Sequence, residues 1–213
     1  MITASEIEEV YSELISRCDY YSAYTVNDLL RGKRKVKSHN ASFAGSAETM
    51  PTLDDVKNTF RKCNCAIFTA FRGEFTIEEN IERNACLKAD MTDRGMKFSS
   101  VIGRYREAAR KYPSVENCFF VYDKNIRASQ DFFCKVYELS AKYAQDCFLY
   151  KRAGINRMAF LVATSDAGRR DLSGDVLLAG QIYENVPEGK SCTDCSNGRF
   201  AFQFTDSLTR TKV

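Results

Sequence analysis

A group of polar side chains in the middle of the chain has the residue types needed to bind an anion or to move a proton. Asn80, Arg83 and Asn84 lie three and four positions apart, so a helix would place them on one face. A guanidinium beside amides suits a carboxylate or phosphate, and two carboxylates could act as acid and base. The full set of candidate ligand-binding residues is Asn80, Arg83, Asn84, Arg104, Glu107, Glu116 and Gln145. We favour a structural polar network for this set and keep a ligand site as the alternative.

A second candidate is the pair Cys192 and Cys195, whose spacing is that of a zinc knuckle or a redox motif. A structural zinc site needs four ligands. The nearest other pair, Cys63 and Cys65, has the wrong spacing, and His39 is the single histidine of the chain. We therefore interpret Cys192 and Cys195 as ordinary loop thiols, with a metal site or a disulfide as alternatives. The sequence indicates no metal and no cofactor.

The sharpest charge feature is a basic segment that leads into a linker of small residues. It consists of Arg31, Lys33, Arg34, Lys35 and Lys37. Such a segment is usually a solvated loop. The alternatives are a phosphate-contacting arm for nucleic acid and a peptide that docks on a protein partner.

Composition and missing motifs exclude several functions. The lone His39 excludes chemistry that needs two histidines, and the chain has no GxGxxG, Walker or GxSxG motif. The net charge of +3 is too small to indicate a nucleic-acid-binding protein by itself. Nine cysteines, mostly beside apolar neighbours, indicate reduced buried thiols. With neither a secretory signal nor an apolar run of membrane-spanning length, we expect a soluble cytoplasmic protein without membrane contact.

Two helices and several strands follow from the hydrophobic pattern between residues 63 and 164. The first helix runs from a cap at Thr76 to about Asp93, with Ile77, Ile81, Ala85 and Lys88 on its core side. The second begins near Ser129 and ends near Gln145. The strands are predicted at 63–71, 96–105, 115–122, 147–150 and 158–164.

This order predicts an α+β fold in which two helices pack on one face of an antiparallel sheet, as in a ferredoxin-like split βαβ core. We expect residues 63–164 to form this core. Residues 1–62 form an N-terminal helical extension that contains the basic linker, 31–50. Residues 165–213 supply a C-terminal pair of strands that packs on the core.

The stretch from Phe68 to about Tyr150 resembles a bacterial domain-of-unknown-function family, number 3293. The resemblance rests on a strand that ends in Thr-Ala and on a helix with the pattern Asn-x-x-Arg-Asn-x-x-Leu, here Asn80 to Leu87. Later parts of the pattern correspond to residues 101–107, 116–119 and 145–150. The Trp and Pro expected after the Thr-Ala strand are replaced by Phe71 and Arg72. The resemblance implies no activity.

Together these features favour a non-enzymatic binding or assembly module that docks to a protein partner or larger assembly through its basic linker and aromatic surfaces. Nucleic acid is the other partner that the linker could contact. The alternative is a small enzyme or ligand-binding domain that recognises an anionic or nucleotide-like ligand through the face of Asn80, Arg83 and Asn84. A third hypothesis is a redox or zinc-linked regulator using Cys192 and Cys195. Whether the chain is an enzyme stays open, with the balance against it.

Overall fold

Four α-helices and nine β-strands make up the part of the chain that the structure, a computed structural model, describes: residues 50–105, 114–154, 158–188 and 190–203. In chain order they are α1 (Leu53–Lys62), β1 (Asn64–Phe68), α2 (Ile77–Asp93), β2 (Lys97–Tyr105), β3 (Ser114–Asp123), α3 (Ser129–Lys142), β4 (Cys147–Lys151), β5 (Ala159–Ala163), α4 (Asp166–Leu172), β6 (Val176–Gly180), β7 (Ile182–Tyr183), β8 (Cys192–Cys195) and β9 (Gly198–Phe202).

The beginnings of α1 and α2 follow directly from the sequence. Thr52 and Thr76 each accept a hydrogen bond from the backbone N–H three residues later, while an acidic side chain at that position bonds back to the cap. Each capping box therefore satisfies two backbone N–H groups that would otherwise have no partner. The acidic residues also lie where the helix dipole favours negative charge.

The strands form one antiparallel sheet in the order β6-β5-β4-β1-β3-β2-β8-β9-β7. Its two edge strands, β6 and β7, are separated in sequence by Gln181 alone. Gly180 adopts a left-handed φ of 89°, which glycine permits without strain, and Gln203 N–H donates to the Gln181 carbonyl at 3.2 Å. Because one residue joins the two edges, the sheet must curve until they approach each other. The result is a nearly closed, barrel-like sheet.

Both faces of this sheet are buried, because successive strand residues point to opposite sides. On one face, which we call the α2/α3 face, Phe119 and Phe148 pack with residues of α2 and α3 such as Leu87 and Phe133. On the other, the α1/α4 face, Phe120 packs with residues of α1 and α4, which include Phe60 and Leu172. The buried strands β4 and β5 thus carry apolar residues at consecutive positions.

The predicted ferredoxin-like fold is wrong. The five strands predicted for the core, β1 to β5, are continued by β6 at one edge and by β8, β9 and β7 at the other. The second face is also not left open, because α1 and α4 cover it. The ferredoxin-like prediction placed helices on one face of the sheet and did not include the second helix-covered face.

The predicted core side of α2 is also wrong. Ile77 and Ile81 are 71% and 54% exposed, and Ala85 is exposed as well. The buried residues of α2 are Asn80, Asn84, Leu87 and Met91. The helix is rotated from the predicted orientation because the two asparagine amides find backbone partners beneath it.

Several predictions fall outside the described residues. These concern residues 1–49 of the N-terminal extension, which include the basic residues from Arg31 to Lys37 and His39, and Glu107. Within the described ranges, none of the helices is long and apolar enough to cross a membrane.

Candidate functional site

The loop between β1 and α2 is held in place by two buried asparagines of α2. Asn84 accepts a hydrogen bond from Ala70 N–H at 2.8 Å and donates to the Asn117 carbonyl on β3 at 2.7 Å. One turn earlier, Asn80 accepts from Arg72 N–H at 2.8 Å and donates to the Arg72 carbonyl at 2.9 Å. Each asparagine side chain therefore accepts one backbone hydrogen bond and donates another, as the backbone of a neighbouring strand would.

Arg83 and Gln145 bond to the same loop. Together with Asn80 and Asn84 they form what we call the loop-binding network. Arg83 donates through Nε to the Ala70 carbonyl at 2.9 Å and through Nη2 to the Tyr143 carbonyl at 2.6 Å. Its guanidinium also lies over the Phe75 ring, 4.5 Å from the ring centre. Gln145 donates through Nε2 to the Phe71 carbonyl at 3.0 Å.

The structure therefore brings four of the seven candidate residues, Asn80, Arg83, Asn84 and Gln145, around one loop. All four bond to backbone atoms, so these bonds define the shape of the loop. A buried amide or guanidinium satisfied in this way stabilises one backbone conformation. Any role of these residues in ligand binding would act through the loop they hold.

Arg104 lies elsewhere, on the α2/α3 side of β2. Its Nε is 2.6 Å from Oδ2 of Asp194, whose side chain is only 15% exposed, and Arg199 Nε is 3.3 Å from Oδ1 of the same carboxylate. The hydrogen bond from Arg104 to this carboxylate holds the pKa of Arg104 above its usual value. Asp194, on β8, thus forms ion pairs with both neighbouring strands, β2 and β9. Asp194 was not predicted as a site residue, although an acid between Cys192 and Cys195 is visible in the sequence.

Glu116 lies on the opposite face of the sheet from Arg104. It pairs in register with Gly103, and its parity on β3 is that of Cys118 and Phe120, which belong to the α1/α4 face. The side chain is half-buried near the start of β3. Arg104 and Glu116 are therefore not brought together.

The strand register places Glu116 close to the end of β1, because Phe68, the last residue of β1, pairs with Phe119 on β3. The pKa values of two nearby thiols agree with this position. Burial, with Glu116 as the next contribution, raises the pKa of Cys118 to about 12. Burial raises the pKa of Cys147 to about 12, with further contributions from Asp146, Asp171 and Glu116. Cys118 and Cys147 are on the two strands that flank β1. Glu116 therefore lies close to the end of β1, on the face that carries both thiols.

We call this end of the sheet the barrel mouth, defined by Thr69, Glu116, Cys118 and Cys147. The Thr69 hydroxyl donates to the Asn117 carbonyl at 2.7 Å and accepts from Phe71 N–H at 3.1 Å, which links the mouth to the loop described above. A side chain at Gly103 would place its Cβ 2.7 Å from the Cys118 sulfur. Gly103 thus leaves room for the thiol. Thr69 and Cys118 were not predicted as site residues, because in the sequence they look like ordinary strand residues.

A cavity of about 650 Å³ lies between the start of α1, the segment after β7 and the β8–β9 hairpin. It is lined by Leu53, Glu184, Asn185, Val186, Glu188, Asn197, Gly198 and Arg199. Its size suits a small molecule. Glu184, however, is neutralised by Lys57 at 2.6 Å, and Arg199 is already paired with Asp194. Two of the charged side chains that line the cavity are therefore already paired within the protein.

The candidate pair Cys192 and Cys195 is divided by the sheet. Both lie on β8, three positions apart, so their side chains point to opposite faces. Cys192 packs with Val186 and Ala201, whereas Cys195 packs with Phe200 in the α1/α4 core. Thiols on opposite faces cannot bind one metal ion or form a disulfide with each other.

Residues 66–200 match the S-adenosylmethionine lyase family. No curated protein matches the chain. The match overturns the resemblance to family 3293 and the description as a domain of unknown function or assembly subunit. In this chain Asn80, Arg83 and Asn84 of the Asn-x-x-Arg-Asn-x-x-Leu pattern hold the loop between β1 and α2, so the pattern describes local structure.

The same match contradicts the favoured prediction of a non-enzymatic binding or assembly module, because a lyase family is a family of enzymes. It favours the alternative of a small enzyme.

Proposed function

Because this chain belongs to the S-adenosylmethionine lyase family, we propose that it cleaves S-adenosylmethionine at a carbon–sulfur bond. The family match over residues 66–200 carries this proposal. The match includes every strand from β2 to β8 and the whole of α2, α3 and α4. It therefore spans both the barrel mouth and the loop-binding network.

A lyase breaks such a bond without adding water and without oxidation or reduction. The substrate sulfur is a sulfonium cation. When the carbon–sulfur bond breaks, its electron pair passes to sulfur, which leaves as a neutral thioether. The carbon that loses sulfur must form a new bond within its own fragment. Either a nucleophilic group of the fragment attacks it to close a ring, or the fragment loses a proton and becomes an alkene.

Glu116 is the residue we assign to the sulfonium. A cation is attracted most strongly by a carboxylate in a region of low dielectric. Glu116 is half-buried, and Cys118 beside it on the same face is buried. Positive charge on sulfur disappears as the bond breaks, so a carboxylate beside it favours the bound substrate more than the transition state. We therefore expect Glu116 to contribute to substrate binding more than to the rate of bond cleavage.

The loop-binding network supports this site from one side. Thr69 and Asn84 both contact the Asn117 carbonyl, which is in the residue next to Glu116. These bonds fix the start of β3 against the end of β1. In the proposed enzyme, Asn84 and Thr69 are positioning residues for Glu116.

The test is product analysis of the purified chain with S-adenosylmethionine in water enriched in ¹⁸O. We expect a neutral thioether product and a second fragment without ¹⁸O from solvent, since a lyase adds no water. Appearance of ¹⁸O in the second fragment at the moment of cleavage would identify a hydrolase instead. A chain that leaves the substrate intact would refute the proposal.

Glu116→Gln tests the assigned site. Losing the charge should raise KM about tenfold or more, which corresponds to about 1.4 kcal/mol, with a smaller change in kcat. Glu188→Gln is the matched control, since it removes an exposed carboxylate from the 650 Å³ cavity. If Glu188→Gln raised KM and Glu116→Gln did not, the substrate would bind in the cavity.

We further propose a cytoplasmic location for this enzyme. The eight cysteines of the described residues are free thiols, and five of them are buried. Buried free thiols are typical of proteins that fold in a reducing compartment. Fractionation of the source cells, followed by activity measurement in the soluble fraction, would test this location.

A further inference from the structure

A lysine and a cysteine face each other in the interior of the α1/α4 face, away from the barrel mouth. Cys65 on β1 and Lys151 on β4 are directly paired in the antiparallel register, so their side chains share one face. Cys65 is 0% exposed and Lys151 is 1% exposed. The proposed lyase reaction uses neither residue.

Both side chains converge on one oxygen atom. Lys151 Nζ donates to the Cys63 carbonyl at 3.0 Å, and Cys65 Sγ lies 3.6 Å from the same oxygen. Within the described residues, this carbonyl is the one hydrogen-bond acceptor that the amine reaches. The sulfur and the nitrogen are therefore held as neighbours by a shared partner.

The surroundings favour an uncharged amine. An ammonium group has three donors, and here it would find one acceptor and the ring of Phe60, whose centre is 5.7 Å from Nζ. Burial lowers the pKa of Lys151, as expected for a cation that loses its hydration. A neutral amine keeps a lone pair, which makes it both a base and a nucleophile.

We propose that Cys65 and Lys151 form a reversible covalent cross-link when the protein meets hydrogen peroxide. The thiol first reacts with peroxide to give a sulfenic acid and water. The Lys151 nitrogen then attacks the sulfur and displaces its hydroxyl group, which leaves as a second water with a proton from nitrogen. Sulfur is oxidised by two electrons and peroxide is reduced, and the product is a sulfenamide that joins β1 to β4.

Burial normally makes a cysteine inert, because the reactive thiolate is disfavoured in an apolar interior. Here the adjacent amine can accept the thiol proton without bulk water. Hydrogen peroxide is small and uncharged, so local opening of the chain is enough to admit it. Cys86, which is exposed, should be oxidised faster than Cys65 but has no buried amine with which to condense.

The experiment is a tryptic map of the full chain after peroxide treatment, with free thiols blocked and no reductant present. In the untreated protein, trypsin cuts after Lys62, Arg72, Lys142 and Lys151. The cross-link should protect Lys151, so that a peptide covering residues 143–152 is recovered joined to residues 63–72, with the mass of two hydrogen atoms missing. A thiol reductant should restore both peptides.

Three variants decide the assignment. Cys65→Ala and Lys151→Met should abolish the joined peptide, whereas Cys63→Ala should retain it because Cys63 contributes only its carbonyl. Circular dichroism before treatment shows that each variant is folded.

Joined peptides in which trypsin still cuts at Lys151 would indicate a disulfide to Cys147 and would overturn the proposal. Oxygen addition to Cys65 without protection of Lys151 would overturn it as well. Neither result bears on lyase activity, so failure of this cross-link is distinct from failure of the proposed function.

Discussion

Replacing Lys151 by methionine should stabilise the protein. The lysine is 1% exposed on the α1/α4 face, and its amine makes one hydrogen bond, to the Cys63 carbonyl at 3.0 Å. An unfolded lysine is charged at neutral pH, so burying its amine costs free energy whether the amine keeps or gives up its proton. Replacing buried ionic groups by apolar side chains of similar volume often gains about 1–4 kcal/mol. Losing one hydrogen bond costs about 1 kcal/mol, and the carbonyl keeps the Cys65 thiol nearby. We expect Lys151→Met to raise the free energy of unfolding by about 1–3 kcal/mol at neutral pH.

This gain should depend on pH in a defined direction. The pKa of Lys151 is lowered by burial in the folded protein, whereas an unfolded lysine keeps a pKa of about 10.4. Between these two values the unfolded chain binds more protons, so wild-type stability rises with pH relative to the variant. The advantage of Lys151→Met should therefore shrink by up to about 1.4 kcal/mol per pH unit in that window.

The assay is urea unfolding of the wild type and of Lys151→Met from pH 7 to pH 10. The quantity compared is the difference between their free energies of unfolding at each pH. The difference matters because buried thiols such as Cys65, whose pKa is raised by burial, make both proteins less stable as the pH rises above the ordinary thiol pKa. Lys135→Met, on the surface of α3, is the matched control and should change the free energy of unfolding by less than about 1 kcal/mol. A variant less stable than wild type at pH 7, or an advantage unchanged across the range, would refute the reasoning.

Two further predictions concern packing and are checked by the same unfolding measurement. Leu87→Ala should cost about 2–5 kcal/mol because Leu87 is fully buried, whereas Ile81→Ala should cost under about 0.5 kcal/mol because Ile81 is exposed; equal costs would place Ile81 in the core after all. Gly103→Ala should destabilise the protein by about 1–3 kcal/mol, since the new Cβ would lie 2.7 Å from the Cys118 sulfur. Adding Cys118→Ala should recover most of that loss, and a loss that persists would show that backbone strain, rather than the thiol, opposes the alanine.

Local structure could be predicted from the sequence where the signal is local. The cap at Thr76 and its acidic first turn mark the start of α2, and the aromatic and β-branched run after Val115 marks β3. Those signals act within a few residues and are independent of the rest of the fold. The rotation of α2 was not predictable in the same way. Asn80 and Asn84 point inward because they form hydrogen bonds with the backbone of Arg72 and Asn117, which lie outside α2.

The architecture depends on pairings between distant strands. Whether β8 pairs with β2, as it does from Ile102 to Arg104, is invisible in a pattern that shows only alternating side chains. The closure through Gln181 likewise requires both edges to be known. At the candidate site, Glu116 could be predicted as a candidate from its residue type. That Glu116 and Arg104 lie on opposite faces of the sheet could not be predicted.

The thiols of the barrel mouth have a consequence for an enzyme that handles a sulfonium. Such a substrate is an alkylating agent, and a thiolate beside it would be consumed by transfer of a carbon group to sulfur. Burial and the neighbouring carboxylates keep Cys118 and Cys147 protonated, with pKa values of about 12. A thiol is a far poorer nucleophile than a thiolate. The negative field that we assign to substrate attraction would thus also protect the protein from modification by its own substrate.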